Sequence, residues 1–324
     1  MLMLDRVRAY GALNARRVFH ALALLAVAAG AAAQPGRPVA VQVAPDSWMV
    51  QGLSALGSAA NRNFISNAAF VVTPDGVLVV DALGSPALAR ELLAEVRRIT
   101  PAPVKYLVVT HYHADHIYGL QVFKEAGATL IAHKDAQLYL NSDTAALRLQ
   151  ASREELAPAI DADTRLVWAN RWITQRTTLQ LGGIDFVLQP AGPAHTPEDL
   201  VVWVPQRRLL LAGDLVFRGR IPFVGQADSA RWITALDTLL AFDADVIVPG
   251  HGPASRDARA DLELTRDYLS YLRRTMGEAA HNLDPFDEAY ARTDWSRFEQ
   301  LPLFKAANRI NAYNTYLLME QAAK

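Results

Sequence analysis

The sequence predicts an α/β sandwich, two β-rich halves each closed by helices. Three observations lead there. A hairpin is written into residues 68–80, where two apolar runs flank Pro74-Asp75-Gly76 and the Asp-Gly pair sets the turn. Residues 104–109, Val-Lys-Tyr-Leu-Val-Val, have the apolar, β-branched character of a central strand. The pattern then recurs: residues 184–188, 200–204 and 209–211 are strand-like, and an amphipathic helix over 230–242 follows, carrying Trp232, Ile233, Leu236, Leu239 and Leu240.

The chain opens on a segment outside that fold. Arg6, Arg8, Arg16 and Arg17 precede an apolar, alanine-rich run over residues 18–33. The run is short for a membrane span and ends Ala31-Ala32-Ala33, the pattern of a cleaved signal peptide. Arg16-Arg17-Val18-Phe19 resembles a twin-arginine export signal, with Ala15 where Ser is usual and His20 where Leu is usual. The expected location is the periplasm or the outside of the cell. Residues 34–324 then read as a single domain, because no linker interrupts them and one large domain of this length is common.

Within it, residues 39–43 start as a strand. After the hairpin, Ser85 caps a helix with Pro86 at its first position and Leu88, Leu92, Val96 and Ile99 along one stripe. The central strand is followed by a helix-like stretch at 120–126, opened by Gly119, and a strand at 128–132. Residues 141–180 read as an irregular connection, long enough to be a lid or substrate wall carrying Trp168 and Trp172. A strand at 246–248 and a helical extension over 255–324 complete the chain.

Composition narrows the function. Removing Met1 to Ala33, with four arginines and one aspartate, takes the formal net charge from −1 to −4. A mildly acidic protein has no electrostatic footprint for nucleic acid or anionic lipid, and no second apolar run is long enough to anchor it. The expected partner is a small-molecule substrate. The chain has no Cys, which suits an oxidising compartment.

The chemistry is concentrated after the central strand, where residues 110–116 read Thr-His-Tyr-His-Ala-Asp-His. In extended backbone His111 and His113 project from one face and can share a metal, while Asp115 and His116 turn toward a second. Three more metal-competent residues follow strands or sit in glycine-rich loops: His195 in Gly-Pro-Ala-His-Thr-Pro, Asp214 closing Leu-Leu-Leu-Ala-Gly-Asp, and His251 in Val-Pro-Gly-His-Gly.

These segments, in this order over residues 52–253, resemble the metallo-β-lactamase superfamily. The resemblance implies a four-layer αβ/βα sandwich with extra C-terminal helices and two zinc ions at its open edge. It assigns His111, His113 and His195 to the first zinc, Asp115, His116 and His251 to the second, and Asp214 to both. It also gives Asp115 the catalytic role of orienting a metal-bridging hydroxide, and places Asp81 behind the zinc loop rather than on a metal. Lactamases usually carry Cys or Ser where Asp214 stands, so the carboxylate-bridged hydrolases are the nearer likeness. The run at residues 217–229, with the ending Asn314-Thr315-Tyr316-Leu317, resembles exported zinc metallohydrolases found beside quinoprotein and sulfur oxidation systems. In that run Arg220 and Phe223 are candidates for contacts behind the metals or beside the substrate.

The function expected is an exported dinuclear zinc hydrolase of an ester, thioester or lactone-type small molecule. Its rivals are hydrolysis of β-lactam antibiotics and an iron-dependent oxidoreductase of the same fold. His133 is expected to be structural, His281 lies in a polar C-terminal loop, and residues 52–64 occupy the place of a flexible flap.

Export is directly testable. Intact-mass measurement of the exported protein should show a cut after Ala33, and changing Arg16 and Arg17 to Lys should abolish export. Unimpaired export of that variant would limit the signal to ordinary secretion.

Overall fold

In the computed structural model the described residues are 36–225 and 227–322. The expected leader at 1–33 and His20 lie outside them. The first sheet contains β1 (Val41–Ala44), β2 (Ser47–Val50), β3 (Ala68–Thr73), β4 (Gly76–Val80), β5 (Val104–Val108), β6 (Thr129–His133) and β7 (Arg171–Ile173), paired in that order. Its first four strands form an antiparallel meander; from β4 to β7 the pairing is parallel. The second sheet contains β8 (Thr177–Leu181), β9 (Ile184–Pro190), β10 (Leu200–Val204), β11 (Leu209–Phe217) and β12 (Val246–His251). It is antiparallel except for the parallel pair β11 and β12 at one edge.

Parallel neighbours need a crossover, and helices supply it. Helix α1 (Pro86–Ile99) joins β4 to β5. Ser85 accepts a hydrogen bond from the Leu88 N–H at its start, and Leu88, Leu92 and Val96 are buried on the face toward the sheet. Beyond β5 come the short helices α2 (Ala114–Ile117) and α3 (Leu120–Glu125), then α4 (Ala136–Leu140) and α5 (Asp143–Glu155) after β6. Helix α6 (Ser229–Leu240) connects β11 to β12, and α7 (Ala258–His281), α8 (Phe286–Arg292) and α9 (Phe304–Ala322) follow. Among the described residues no helix is long and apolar enough to cross a membrane.

Side-chain alternation along the strands builds the layers. Leu78, Val80, Val108 and Ile131 of the first sheet meet Phe186, Leu188, Val202 and Leu211 of the second in one apolar core between them. The opposite face of the first sheet packs Val79, Leu107 and Leu130 against Leu88, Leu92 and Phe123. On the far side, Val201, Leu210 and Ile247 pack against Trp232 and Leu236 of α6 and Leu269 and Leu272 of α7. Helices, sheet, sheet, helices: the four-layer αβ/βα sandwich expected from the sequence is the observed architecture, with the extra C-terminal helices on the second face.

Two readings differ from expectation. His281, expected in a polar C-terminal loop, is the last residue of α7. The other is a longer stretch. Residues 141–180, read as irregular, contain the thirteen-residue helix α5 and the strands β7 and β8. The helix hides because its apolar residues do not form a stripe: Leu149 is buried while Leu147 is exposed. Its cap was in plain sight, for Ser142 accepts from the Ala145 N–H. Trp172 lies on β7 and Trp168 sits exposed beside it, its carbonyl accepting from Lys124 Nζ. Residues 52–64 form a loop tied at its neck by Leu53 N–H to Phe64 O.

Two buried asparagines connect distant parts. Asn67 donates through Nδ2 to Pro249 O and Gly252 O and accepts from the Gly52 N–H, so it clips the end of β12 to the first sheet. Asn311 of α9 accepts from the Val224 N–H and donates to Pro222 O, holding the segment after β11 against the C-terminal helix. Replacing Asn67 by Ala leaves those buried carbonyls and the Gly52 N–H without their partner. Urea unfolding should show a loss of about 2–3 kcal/mol, and a loss below about 0.5 kcal/mol would mean that the two halves are joined elsewhere.

Candidate metal centre

The seven candidate residues meet where strands of both sheets end, the usual place for ligand sites in open α/β sheets. His111 and His113 follow β5, with His113 in extended backbone, and Asp115 and His116 occupy α2. His195 lies in the loop between β9 and β10, Asp214 within β11, and His251 is the last residue of β12. One ligand-competent atom from each of His111, His113, His195 and Asp214 lies within 4.8 Å of the others, and the same holds for Asp115, His116 and His251.

Asp214 touches both groups. Its Oδ2 lies 3.5 Å from His195 Nε2, 3.8 Å from His111 Nε2 and 3.2 Å from His251 Nε2, while Oδ1 lies 3.1 Å from His116 Nε2. Asp115 Oδ2 is 3.3 Å from His251 Nε2. His113 Nδ1 and His195 Nε2 are 3.0 Å apart; two nitrogens bound to one tetrahedral zinc would stand roughly 3.3 Å apart.

Contacts behind the rings decide which nitrogens face inward. Asp81, at the end of β4, accepts at 2.8 Å from the Thr110 N–H and the Thr110 hydroxyl, and its Oδ2 lies 2.8 Å from His116 Nδ1. A carboxylate can only accept, so His116 carries a proton on Nδ1, and Nε2 is the nitrogen turned toward Asp214. The Thr110 hydroxyl, its proton given to Asp81, accepts from His111 Nδ1 at 3.0 Å, freeing His111 Nε2 likewise. His251 Nδ1 donates to Ile65 O at 2.7 Å. Asp81 holds its place in a left-handed conformation, φ +64°.

Close backbone approach requires glycine twice. A Cβ on Gly250 would lie 1.9 Å from Asp214 Oδ1, and one on Gly213, at φ +53°, would lie 2.8 Å from Thr110 Cβ. The His195 loop is fixed by Asp199, which accepts from the Thr196 N–H and hydroxyl. Burial pushes the Asp199 carboxyl up to about 8.

Electrostatically the pit is made for a cation. Burial holds His111 below the usual imidazole range and brings His195 to about 3, so both are neutral lone-pair donors, while His113 is the exposed member of the set, bordering the open cavity. For His116 burial works downward too, but the Asp214, Asp115 and Asp81 carboxylates outweigh it and raise it well above that range. Burial would raise Asp214, yet His251, His116 and His111 hold it well below the usual carboxylate value. His111 Nε2, His116 Nε2 and Asp214 Oδ1 are buried without a hydrogen-bond partner; the 3.1 Å contact of the last two is off the line that a hydrogen bond needs. Buried polar atoms are otherwise satisfied in folded proteins. Orphaned imidazole nitrogens converging on a carboxylate are the donor set of a zinc-type ion.

Arg220 and Phe223 fall on different sides of the centre. Arg220 is buried behind His251, its guanidinium over the rings of Phe217 and Phe223, with Nη2 unpartnered. Phe223 lines the cavity that opens over His113 and His195. His133 stands at the end of β6, outside both clusters, where its Nδ1 accepts from the Asp135 N–H. The supporting roles of Thr110, Asn67, Asp199 and Glu198, which accepts from the Tyr112 N–H, were not foreseen. Only the last two left a trace, as acids three and four positions beyond His195.

Comparison with known proteins agrees with this geometry. The family model of the metallo-beta-lactamase superfamily matches residues 61–251. A linear primary-alkylsulfatase of Pseudomonas sp. is 27% identical over 237 residues, 62% of this chain and 45% of that protein. A type 2 metallo-beta-lactamase of Bacillus sp. is 30% identical over 192 residues, 58% of this chain and 66% of that protein. Among solved structures, a stereoselective inverting sec-alkylsulfatase of Pseudomonas sp. aligns with a TM-score of 0.68 at 18% identity, covering 87% of this chain and 50% of that one. A metallo-beta-lactamase of Pontibacter korlensis aligns with a TM-score of 0.56 at 22% identity, covering 72% of this chain and 99% of that one. The chain thus spans about half the length of the alkylsulfatases that it matches.

If Asp81 sets the His116 tautomer, Asp81→Ala should weaken zinc binding by about 10–100-fold. Competition against a chromogenic chelator reads this directly, and unchanged affinity would show that His116 is oriented without Asp81.

Proposed function

The chain belongs to the metallo-beta-lactamase superfamily, and from that premise we propose that it is an exported, dinuclear zinc-dependent hydrolase of ester, thioester or lactone bonds in small molecules. The observation that carries the proposal is Asp214, whose two oxygens reach both clusters of donors. His111, His113 and His195 would hold one zinc with Asp214, and Asp115, His116 and His251 the other with the same carboxylate. Bound there, the metal pair would supply Lewis acidity, making water nucleophilic near neutral pH and polarising a substrate oxygen.

The protein's own groups do the remaining work. Asp115 Oδ2 is positioned to accept a proton from the attacking water and to fix its direction. The carboxylates Asp115 and Asp214 would supply the negative charge offsetting two dications, a less cationic site than an all-imidazole one. Substrate would approach over His113 and His195, the rings that border the open cavity. Water is excluded from the opposite side, where Phe217 stacks on His251 at 5.0 Å and Trp232 lies against His195.

Hydrolysis of β-lactams or alkyl sulfates is the reading the named relatives suggest. A substrate panel of ester, thioester, lactone, β-lactam and alkyl sulfate separates these. Elemental analysis should find close to two zinc ions per chain; one or fewer at saturation, or iron that tracks activity, would sink the dinuclear zinc reading. Asp214→Ala should lose metal and activity together. Asp214→Ser, which imitates the residue common in lactamases, should lower ester or thioester hydrolysis by on the order of a hundredfold. Full activity with two zinc ions in that variant would remove the bridging role.

A further inference from the structure

We infer that the substrate presents its scissile group on an uncharged, apolar chain, and that this chain lies in the cleft between α4 and residues 223–225. The inference rests on the hydrolase reading above and adds the substrate class. A cavity of about 430 Å³ opens directly over His113 and His195. Its walls are Tyr112, Leu138, Tyr139, Pro197, Phe223 and Val224. A metal centre at one end and apolar walls leading away from it suit a ligand whose polar group reacts and whose remainder only needs burial.

Charge decides the character of that remainder. The polar members of the lining include Asp135 and Glu198, and among the described residues no lysine or arginine lines the cavity. Arg220, the nearby cation, is 1% exposed and lies behind His251, so it cannot meet an anionic tail without rearrangement. A carboxylate on that chain would therefore enter a lining that holds Asp135 and Glu198 and no counter-ion. A neutral chain has no such cost, and each methylene buried adds about fourfold in affinity.

Leu138 supplies the second observation. It is 71% exposed although it lines the cavity, so much of its side chain remains for a ligand to cover. Opposite it, Phe223 and Val224 are held by the bonds from Asn311 to Pro222 and Val224, which makes that wall a fixed surface.

The test uses the metal-loaded protein and neutral ligands that need no turnover. Calorimetric titration with butanamide, hexanamide and octanamide should show affinity rising with length, octanamide binding at least about tenfold tighter than butanamide. Leu138→Asp should bring that ratio below about threefold while Leu138→Met keeps it; circular dichroism of both variants reports folding. Equal affinity along the series in the parent protein, or an undiminished ratio in Leu138→Asp, overturns the inference. A second arm compares kcat/KM for p-nitrophenyl octanoate and mono-p-nitrophenyl suberate, which differ by the terminal carboxylate. The neutral ester should be favoured at least about tenfold, the scale of one unscreened like-charge contact. Graded amide binding without turnover of any ester would support the cleft and refute the hydrolase reading. Turnover indifferent to the tail charge would refute the cleft and leave that reading standing.

Discussion

Taking the Asp214 carboxylate out of water costs on the order of several kcal/mol unless positive charge or donors stand close by. The compensation comes from both halves of the molecule at once: His111 from the loop after β5, His116 from α2, His195 from the β9–β10 loop, His251 from the end of β12. No half could bury that carboxylate alone. The joint between the two sheets is accordingly where the polar groups of the interior collect, while the core between the sheets remains apolar.

Convergence alone would give a cluster of rings in arbitrary orientations. What orients three of the five rings is a set of acceptors behind them, each fixing a proton on the outward nitrogen of His111, His116 or His251. Asp81 and Thr110 act as one unit, since the threonine hydroxyl gives its proton to the carboxylate and is then free to accept from His111. Ile65 O does the same for His251 with a backbone carbonyl. The price of such preorganisation is visible in the left-handed backbone of Asp81 and in the glycines that let Asp214 and Thr110 sit so close to neighbouring chain.

Much of this was legible in the sequence, for identifiable reasons. The paired apolar runs with Asp-Gly between them gave the hairpin, and Ser85-Pro86 gave the start of α1, because turn and cap chemistry is local. The metal-competent residues stood out because a strand end followed by three histidines and an aspartate has no common structural purpose. Helix α5 was not legible, since its apolar residues mark no single face. Asp81 was legible behind the zinc loop, but the clip between the sheets was silent: Asn67 meets Pro249 and Gly252 far along the chain, and a lone asparagine carries no sign of a distant partner. Leu138 could not be recognised as part of the cleft, because only the fold brings α4 opposite Phe223.

The grip of Asn311 on Pro222 and Val224 has a consequence for how the protein is put together. Every candidate ligand lies at or before His251, whereas the wall opposite α4 takes its position from a residue in the final helix. Capture of an ion and recognition of what it acts upon are thus assigned to different stretches of polypeptide, completed at different moments as the chain emerges. A change confined to Asn311 would keep every candidate ligand and lose the bonds that set the wall, so discrimination between substrates can drift in descendants of this protein through changes far along the chain that leave the ion site alone.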